Sequence, residues 1–155
     1  MTEPIPAASG PLRVLIIDDD PFLLDLLTDM LAELGPFEVR TEGDARRALK
    51  ELGPELHPAP QLLICDLSMP EMDGIEFMHA AALAGFTGNI LLLSGMDSGV
   101  RMAAGHLGRA HGLKVIGTYK KPITKAQLAE AVSPLLQERI SGQDNSHNLT
   151  PLFGK

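Results

Sequence analysis

Polar and charged side chains directly follow three largely apolar runs and one mixed run of the chain. They are Asp18, Asp19 and Asp20 after "VLII", Asp66 after "LLIC", Ser94 after "NILLL" and Lys121 after "KVIGTYK". A carboxylate at the end of an apolar run is unusual, because ionised aspartate is rarely buried without a partner. Carboxylates, a hydroxyl and an ammonium group could bind a divalent cation and accept a phosphoryl group, if the fold brings them together.

The four runs belong to a regular alternation of predicted strands and helices. The predicted strands are "RVLIIDDD", "FEVRT", "QLLICD", "NILLLSG" and "KVIGTYK". The predicted helices are "PFLLDLLTDMLAELGP", "DARRALKEL", "IEFMHAAALAG", "SGVRMAAGHLGRAHG" and "TKAQLAEAVSPLLQERI". This order predicts an α/β fold, a doubly wound five-stranded parallel sheet with helices on both faces. "QLLICD" and "NILLLSG" lack polar alternation, which is typical of strands buried on both faces.

Local signals mark several helix ends. Asp20 is a natural N-cap and Pro21 suits the first position of the helix that follows. Thr124 and Gln127 have the spacing of a capping box. Pro134 lies inside the last predicted helix, so we expect it to kink or split that helix.

The length and composition fit one domain with polar ends. The chain has 155 residues, of which 45% are hydrophobic, and this suffices for a single core. We expect a disordered leader over residues 1–11, a domain over 12–140, and a polar tail or the start of a linker over 141–155.

Composition also excludes several classes of function. The net charge of −7 and the lack of a Lys/Arg run argue against direct binding of nucleic acid. The sequence shows neither a secretory signal nor an apolar run long enough for a membrane span, so we expect a soluble, cytoplasmic protein. Cys65 is the only cysteine and is expected to be buried, and no Cys/His cluster has zinc spacing.

The predicted strand ends should meet where a doubly wound sheet binds ligands, outside the carboxyl ends of its strands. Asp18, Asp19, Asp66 and Lys121 together carry two more negative than positive charges there. A divalent cation would neutralise this cluster, and Mg²⁺ suits it because Mg²⁺ takes oxygen ligands and keeps several waters. Asp66 then lies where a phosphoryl acceptor is needed. Asp20 is better explained as a helix cap.

The motifs "LIIDDD", "CDLSMPEMDG", "LLLSG" and "KKP" resemble those of the receiver domain of two-component response regulators, a flavodoxin-like fold, over about residues 12 to 139. The resemblance implies that Asp66 accepts phosphate from a sensor histidine kinase or phosphotransfer protein. It implies Mg²⁺ binding by Asp18, Asp19, Asp66 and the backbone carbonyl of Ser68. Ser94 would bond a phosphoryl oxygen and Lys121 would pair with the phosphoryl group.

The resemblance also implies what such a chain does with the phosphate. A downstream output domain or partner protein would respond to the phosphorylated form, which could be a homodimer. Beyond Mg²⁺-dependent self-phosphorylation and slow autodephosphorylation, no enzyme activity is expected. The stretch from Ser94 to Thr124 looks in particular like receivers that precede cyclic-di-GMP phosphodiesterase (EAL) domains. Residues after 140 are too few to fold such a domain.

One position departs from the family pattern, and two other functions stay open. Thr118 stands three residues before Lys121, where the family usually has an aromatic side chain, and Tyr119 follows it. One alternative is a Mg²⁺-dependent phosphatase with Asp18 as nucleophile and Asp20 as acid, which leaves "MPEMDG" without a role. The other is a receiver that acts only as a scaffold and is not phosphorylated.

Overall fold

Five strands and five helices alternate along the chain. The computed structural model describes residues 10–52, 58–69, 72, 74–95 and 98–148. The strands are β1 (Leu12–Ile17), β2 (Phe37–Glu42), β3 (Leu62–Asp66), β4 (Asn89–Ser94) and β5 (Lys114–Lys120). The helices are α1 (Pro21–Leu34), α2 (Ala45–Lys50), α3 (Gly74–Leu83), α4 (Ser98–Ala110) and α5 (Lys125–Asn148). None of the helices in the described part of the chain is long and apolar enough to cross a membrane.

All strand pairs are parallel, in the order β2-β1-β3-β4-β5, so the predicted doubly wound sheet is confirmed. Every residue of β3 is buried, and in β4 only Asn89 is partly exposed. This agrees with the absence of polar alternation in these two strands. Because the strands are parallel, the carboxyl ends of β1, β3, β4 and β5 lie along one edge of the sheet.

The two faces of the sheet are covered by different helices. Leu15, Ile17, Leu63 and Cys65 pack in one cluster with residues of α2, α3 and α4. Their neighbours in sequence form a second cluster with residues of α1 and α5: Val14, Ile16, Leu62 and Ile64. Cys65 is buried, as predicted, and burial together with the nearby Asp66 and Asp18 raises the pKa of its thiol.

The predicted helix caps are present. The Phe22 N–H donates to Asp20 Oδ1 at 3.0 Å, which starts α1. At α5 the Thr124 N–H donates to Gln127 Oε1 at 3.0 Å, and the Gln127 N–H donates to Thr124 Oγ1 at 3.1 Å. These bonds satisfy N–H groups that have no partner within the helix.

Helix α5 continues through Pro134, so the predicted split does not occur. Pro134 itself is exposed, while Ala131, Val132 and Leu135 are buried in the second cluster. Packing on both sides of the proline therefore holds the helix together despite the missing N–H donor. The helix extends to Asn148, beyond residue 140, whereas most of the predicted leader, residues 1–9, and residues 149–155 lie outside the described residues.

Gly74 allows α3 to start directly against the residue that follows β3. The Gly74 N–H donates to the carbonyl oxygen of Leu67 at 3.0 Å, and the Leu67 N–H donates to the Leu93 carbonyl at 2.9 Å. A Cβ atom at Gly74 would lie 2.1 Å from Leu67 Cδ2 and 2.7 Å from Leu67 Cα. Backbone contact at this distance cannot be relieved by rotating a side chain, so Gly74 fixes the approach of α3 to the end of β3.

We therefore expect Gly74→Ala to lower the free energy of unfolding by about 1–3 kcal/mol, the usual cost of overpacking. Urea unfolding followed by circular dichroism measures this change. Gly43→Ala is the matched control, because a Cβ atom there would meet only Asp18 O at an ordinary 3.6 Å. Equal stability of the two variants would show that α3 can shift away from Leu67 at little cost.

Candidate functional site

Three charged side chains from distant parts of the chain meet at the carboxyl edge of the sheet. Lys121 Nζ lies 3.1 Å from Asp66 Oδ2 and 3.2 Å from Asp18 Oδ2. Asp66 is the last residue of β3 and only 2% exposed, and Asp18 follows β1 and is 1% exposed. One lysine is thus the shared counterion of two buried carboxylates.

Main-chain N–H groups hold the second oxygen of each carboxylate. The Asp20 N–H donates to Asp18 Oδ1 at 2.9 Å, and the Ser68 N–H donates to Asp66 Oδ1 at 2.9 Å. Each carboxylate therefore has one backbone donor and one ammonium donor, which fixes its orientation. The sequence did not reveal these two donors, because any residue except proline supplies an N–H group.

Burial dominates the electrostatics of Asp18. Loss of water raises the pKa of its carboxyl above 3.8, and the charge of Asp66 adds to this rise. The bond from the Asp20 N–H and the charge of Lys121 act in the opposite direction but do not cancel it. For Lys121, burial lowers the pKa, but the bonds and charges of Asp66 and Asp18 outweigh it and raise the pKa above 10.5. The two carboxylates therefore keep the ammonium group of Lys121 charged, while they repel one another.

Asp19 completes a set of oxygen donors that fits a hard divalent cation. Carboxylate oxygens of Asp18, Asp19 and Asp66 all lie within 4.8 Å of one another, and Asp19 is exposed while the other two are buried. Mg²⁺ binds oxygen ligands at about 2.0–2.1 Å, so oxygens this close can share one ion after small rotations. An exposed third carboxylate leaves one side open to water and to an incoming ligand.

The two predicted serines lie at the same edge. Ser94 ends β4, is fully buried, and its carbonyl oxygen accepts the Lys121 N–H at 2.8 Å. Ser68 is exposed and contacts Asp66 through its N–H, while its carbonyl stays a predicted metal ligand. Within "MPEMDG", residues 70, 71 and 73 lie outside the described residues.

A shift in strand register decides which faces Thr118 and Tyr119 occupy. Ile90 pairs with Val115 but Leu91 pairs with Gly117, so β5 has one extra residue at this point. After the shift Thr118 faces α4, where a Cβ atom at Gly105 would lie 3.1 Å from Thr118 Cγ2. Tyr119 packs on the other face, with the α1 and α5 cluster. Burial and the charge of Glu130 raise the pKa of its phenol.

Comparison with known proteins gives one consistent result. The sequence model of the response regulator receiver domain matches residues 14–133. The cyclic di-GMP phosphodiesterase RocR of Pseudomonas aeruginosa is 30% identical over 113 residues, which are 73% of this chain and 28% of RocR. A probable chemotaxis protein CheY of Rhizobium etli is 38% identical over 69 residues, 44% of this chain and 51% of that protein. The chain thus spans about half or less of these relatives.

Solved structures agree with the sequence comparisons. A response regulator from Colwellia psychrerythraea superposes with a TM-score of 0.70 and 32% identity, over 83% of this chain and 99% of that one. The chemotaxis protein CheY4 of Vibrio cholerae gives a TM-score of 0.65 and 27% identity, over 82% of this chain and 100% of that one. The fold, the edge cluster of Asp18, Asp19, Asp66 and Lys121, and these similarities together show that the chain belongs to the family of response regulator receiver domains.

Proposed function

We propose that this receiver is a phosphorylation-dependent switch in which Asp66 is the phosphoryl acceptor. The observation that carries the proposal is the position of Asp66: a carboxylate buried at the end of a central strand, oriented by Ser68 and Lys121, beside Asp18 and Asp19. No packing requirement explains a carboxylate there, since an apolar residue would stabilise the core better. The chemistry of an acceptor does explain it.

The transfer itself needs little from the protein beyond orientation and charge. An oxygen of ionised Asp66 attacks the phosphorus of the donor, and an acyl phosphate bond forms as the bond from phosphorus to the donor atom breaks. The leaving group is the imidazole nitrogen of a histidine kinase or phosphotransfer protein, or acetate when acetyl phosphate is the donor, and it takes the electron pair. Lys121 would stabilise the negative charge on the phosphoryl oxygens.

We propose that Asp18, Asp19, Asp66 and the Ser68 carbonyl hold Mg²⁺ at this site. A bound Mg²⁺ would supply positive charge that offsets the repulsion between the acids and the phosphoryl oxygens. Asp19 is the exposed member of the set, so its substitution should change ion binding with little effect on the core.

The proposed switch uses the shared position of Lys121. A phosphoryl group adds about −1.5 to −2 charge and three acceptor oxygens. It would lie beside the Lys121 ammonium group, which already pairs with two carboxylates. Lys121 would move toward the phosphoryl group, and the bond from its N–H to the Ser94 carbonyl would transmit this movement to the end of β4. Ser94 would bond a phosphoryl oxygen from the same strand end.

The readout of the switch lies with another domain or protein. RocR, of which this chain spans 28%, is named as a cyclic di-GMP phosphodiesterase, so an output domain of that kind in a longer protein is one proposal for this receiver. A separate partner protein, or a homodimer, is the other. The net charge of −7 favours a protein partner over nucleic acid, and a cytoplasmic location would place the receiver beside a kinase.

The alternative phosphatase function is not favoured by the geometry. It requires Asp20 as a general acid, but Asp20 Oδ1 accepts the Phe22 N–H as the cap of α1. A phosphatase would also leave the buried carboxylate of Asp66 without a role.

Incubation with acetyl phosphate and measurement of intact mass tests the proposal. The protein should gain a single phosphoryl group in Mg²⁺ and none in EDTA. Asp19→Asn should slow the gain at least about tenfold at limiting Mg²⁺, because one ligand is lost. Asp20→Asn is the matched control, since asparagine caps a helix as well as aspartate does. No adduct in a folded wild-type protein with Mg²⁺ would contradict the proposal and favour a scaffold.

A further inference from the structure

Two histidines, one in α3 and one just after α4, meet on the surface away from the acidic site. The ring centroids of His79, in α3, and His111, just after α4, are 5.2 Å apart with an angle of 70° between the ring planes. Both residues are exposed, so solvent and ions can reach them. Neither has a role in the proposed phosphoryl chemistry.

Close packing of the helices keeps the two rings near one another. A Cβ atom at Gly108 would lie 2.8 Å from Val115 Cγ2 and 3.1 Å from Met78 Sδ, so glycine lets α4 approach both β5 and α3. Met78 precedes His79 directly, and Gly108 lies one turn before His111. The His111 N–H donates to the Leu107 and Gly108 carbonyls at 3.1 Å, which fixes the end of α4.

We propose that His79 and His111 form a binding site for one borderline divalent cation such as Zn²⁺, with water completing the coordination. Two imidazole nitrogens about 2.0–2.1 Å from one tetrahedral ion bring their ring centroids to about 5 Å, which matches the observed separation. Imidazole suits Zn²⁺, whereas the carboxylates at the sheet edge suit Mg²⁺, so the two sites differ in ligand chemistry. The ion would join the end of α4 to α3.

The site should bind Zn²⁺ with modest strength, because only two of four ligands come from the protein. Titration of the wild-type chain with Zn²⁺ in excess Mg²⁺, followed by the imidazole proton resonances in NMR, measures this binding. The His79 and His111 resonances should shift together and saturate at one ion per chain. His79→Gln and His111→Gln should each weaken binding at least about tenfold, a loss of 1.4 kcal/mol or more.

His106→Gln is the matched control, because His106 is also an exposed residue of α4. It should leave the affinity unchanged. Unchanged Zn²⁺ affinity in both His79→Gln and His111→Gln would overturn the proposal and place the ion at the acidic cluster. Absence of Zn²⁺ binding in the wild type would overturn it too and leave an aromatic contact only. Both substitutions are at exposed positions, and a nitrogen–proton correlation spectrum checks that each variant is folded.

Discussion

Asp66→Asn should abolish the phosphoryl adduct that the wild-type chain forms with acetyl phosphate and Mg²⁺. The amide has no anionic oxygen to attack phosphorus, so the expected loss is complete rather than partial. The variant should stay folded, because the amide has nearly the same size and Lys121 keeps Asp18 as its partner. Intact mass measured over the time course of phosphorylation gives the result directly.

Asp44→Asn is the matched control for Asp66→Asn. Asp44 caps α2 by accepting the Arg46 N–H at 2.9 Å, and asparagine can replace it in that role. This variant should acquire the adduct at the wild-type rate. If Asp66→Asn retained a Mg²⁺-dependent adduct, the acceptor would be another acid of the edge cluster, with Asp18 the first to substitute.

Lys121→Met should be the most destabilising substitution at the site in metal-free protein. It leaves Asp18 and Asp66, 1% and 2% exposed, without their only ammonium partner in the described part of the chain. Removing one partner from a buried ion pair typically costs about 3–5 kcal/mol, because the remaining charge is uncompensated. Urea unfolding in EDTA at neutral pH measures the loss.

Two further variants separate the charge effect from other causes. Lys120→Met changes the neighbouring exposed lysine and should alter the free energy of unfolding by no more than about 0.5 kcal/mol. Asp18→Asn added to Lys121→Met should recover part of the lost stability, since it removes one uncompensated charge. Equal losses in Lys120→Met and Lys121→Met would contradict the assignment of Lys121 as the counterion.

The loss in Lys121→Met should also depend on pH. The pKa of Asp18 is already raised above 3.8 in the folded wild type by burial, and removal of the ammonium group raises it further. A folded state that binds protons more tightly than the unfolded state loses stability as pH rises through the window between the two pKa values. The loss measured at about pH 4 should therefore be smaller than the loss at pH 7.

Most of the architecture was predictable because it depends on local patterns. The unbroken apolar runs around Leu63 and Leu92 predicted central strands. Asp20 and Thr124, as capping residues, predicted the starts of two helices. The site residues were predictable as a group, since parallel strands bring their carboxyl ends to one edge. The continuity of α5 through Pro134 was not predictable, because packing on both sides of the proline outweighs its local tendency to end a helix.

Other features depend on contacts that no local pattern encodes. The extra residue in β5, which the sequence does not mark, decides which face of the sheet Thr118 and Tyr119 each occupy. The Gly74 contact with Leu67 requires the exact approach of α3 to β3. The pair of His79 and His111 joins helices that are separated by a whole strand. None of these features can be predicted from a local pattern, because each involves residues that are distant in sequence or a change of strand register.

The bonds at Leu67 also bear on how this receiver could change during evolution. The Gly74 N–H donates to the Leu67 carbonyl, and the Leu67 N–H donates to the Leu93 carbonyl. Hydrogen bonds therefore hold both ends of the segment that connects β3 to α3. A loop closed at its base can gain or lose residues at small entropic cost, since the cost grows only slowly with length. Changes of sequence or length after Ser68, whose N–H donates to Asp66 Oδ1, can therefore be accommodated without moving Asp66.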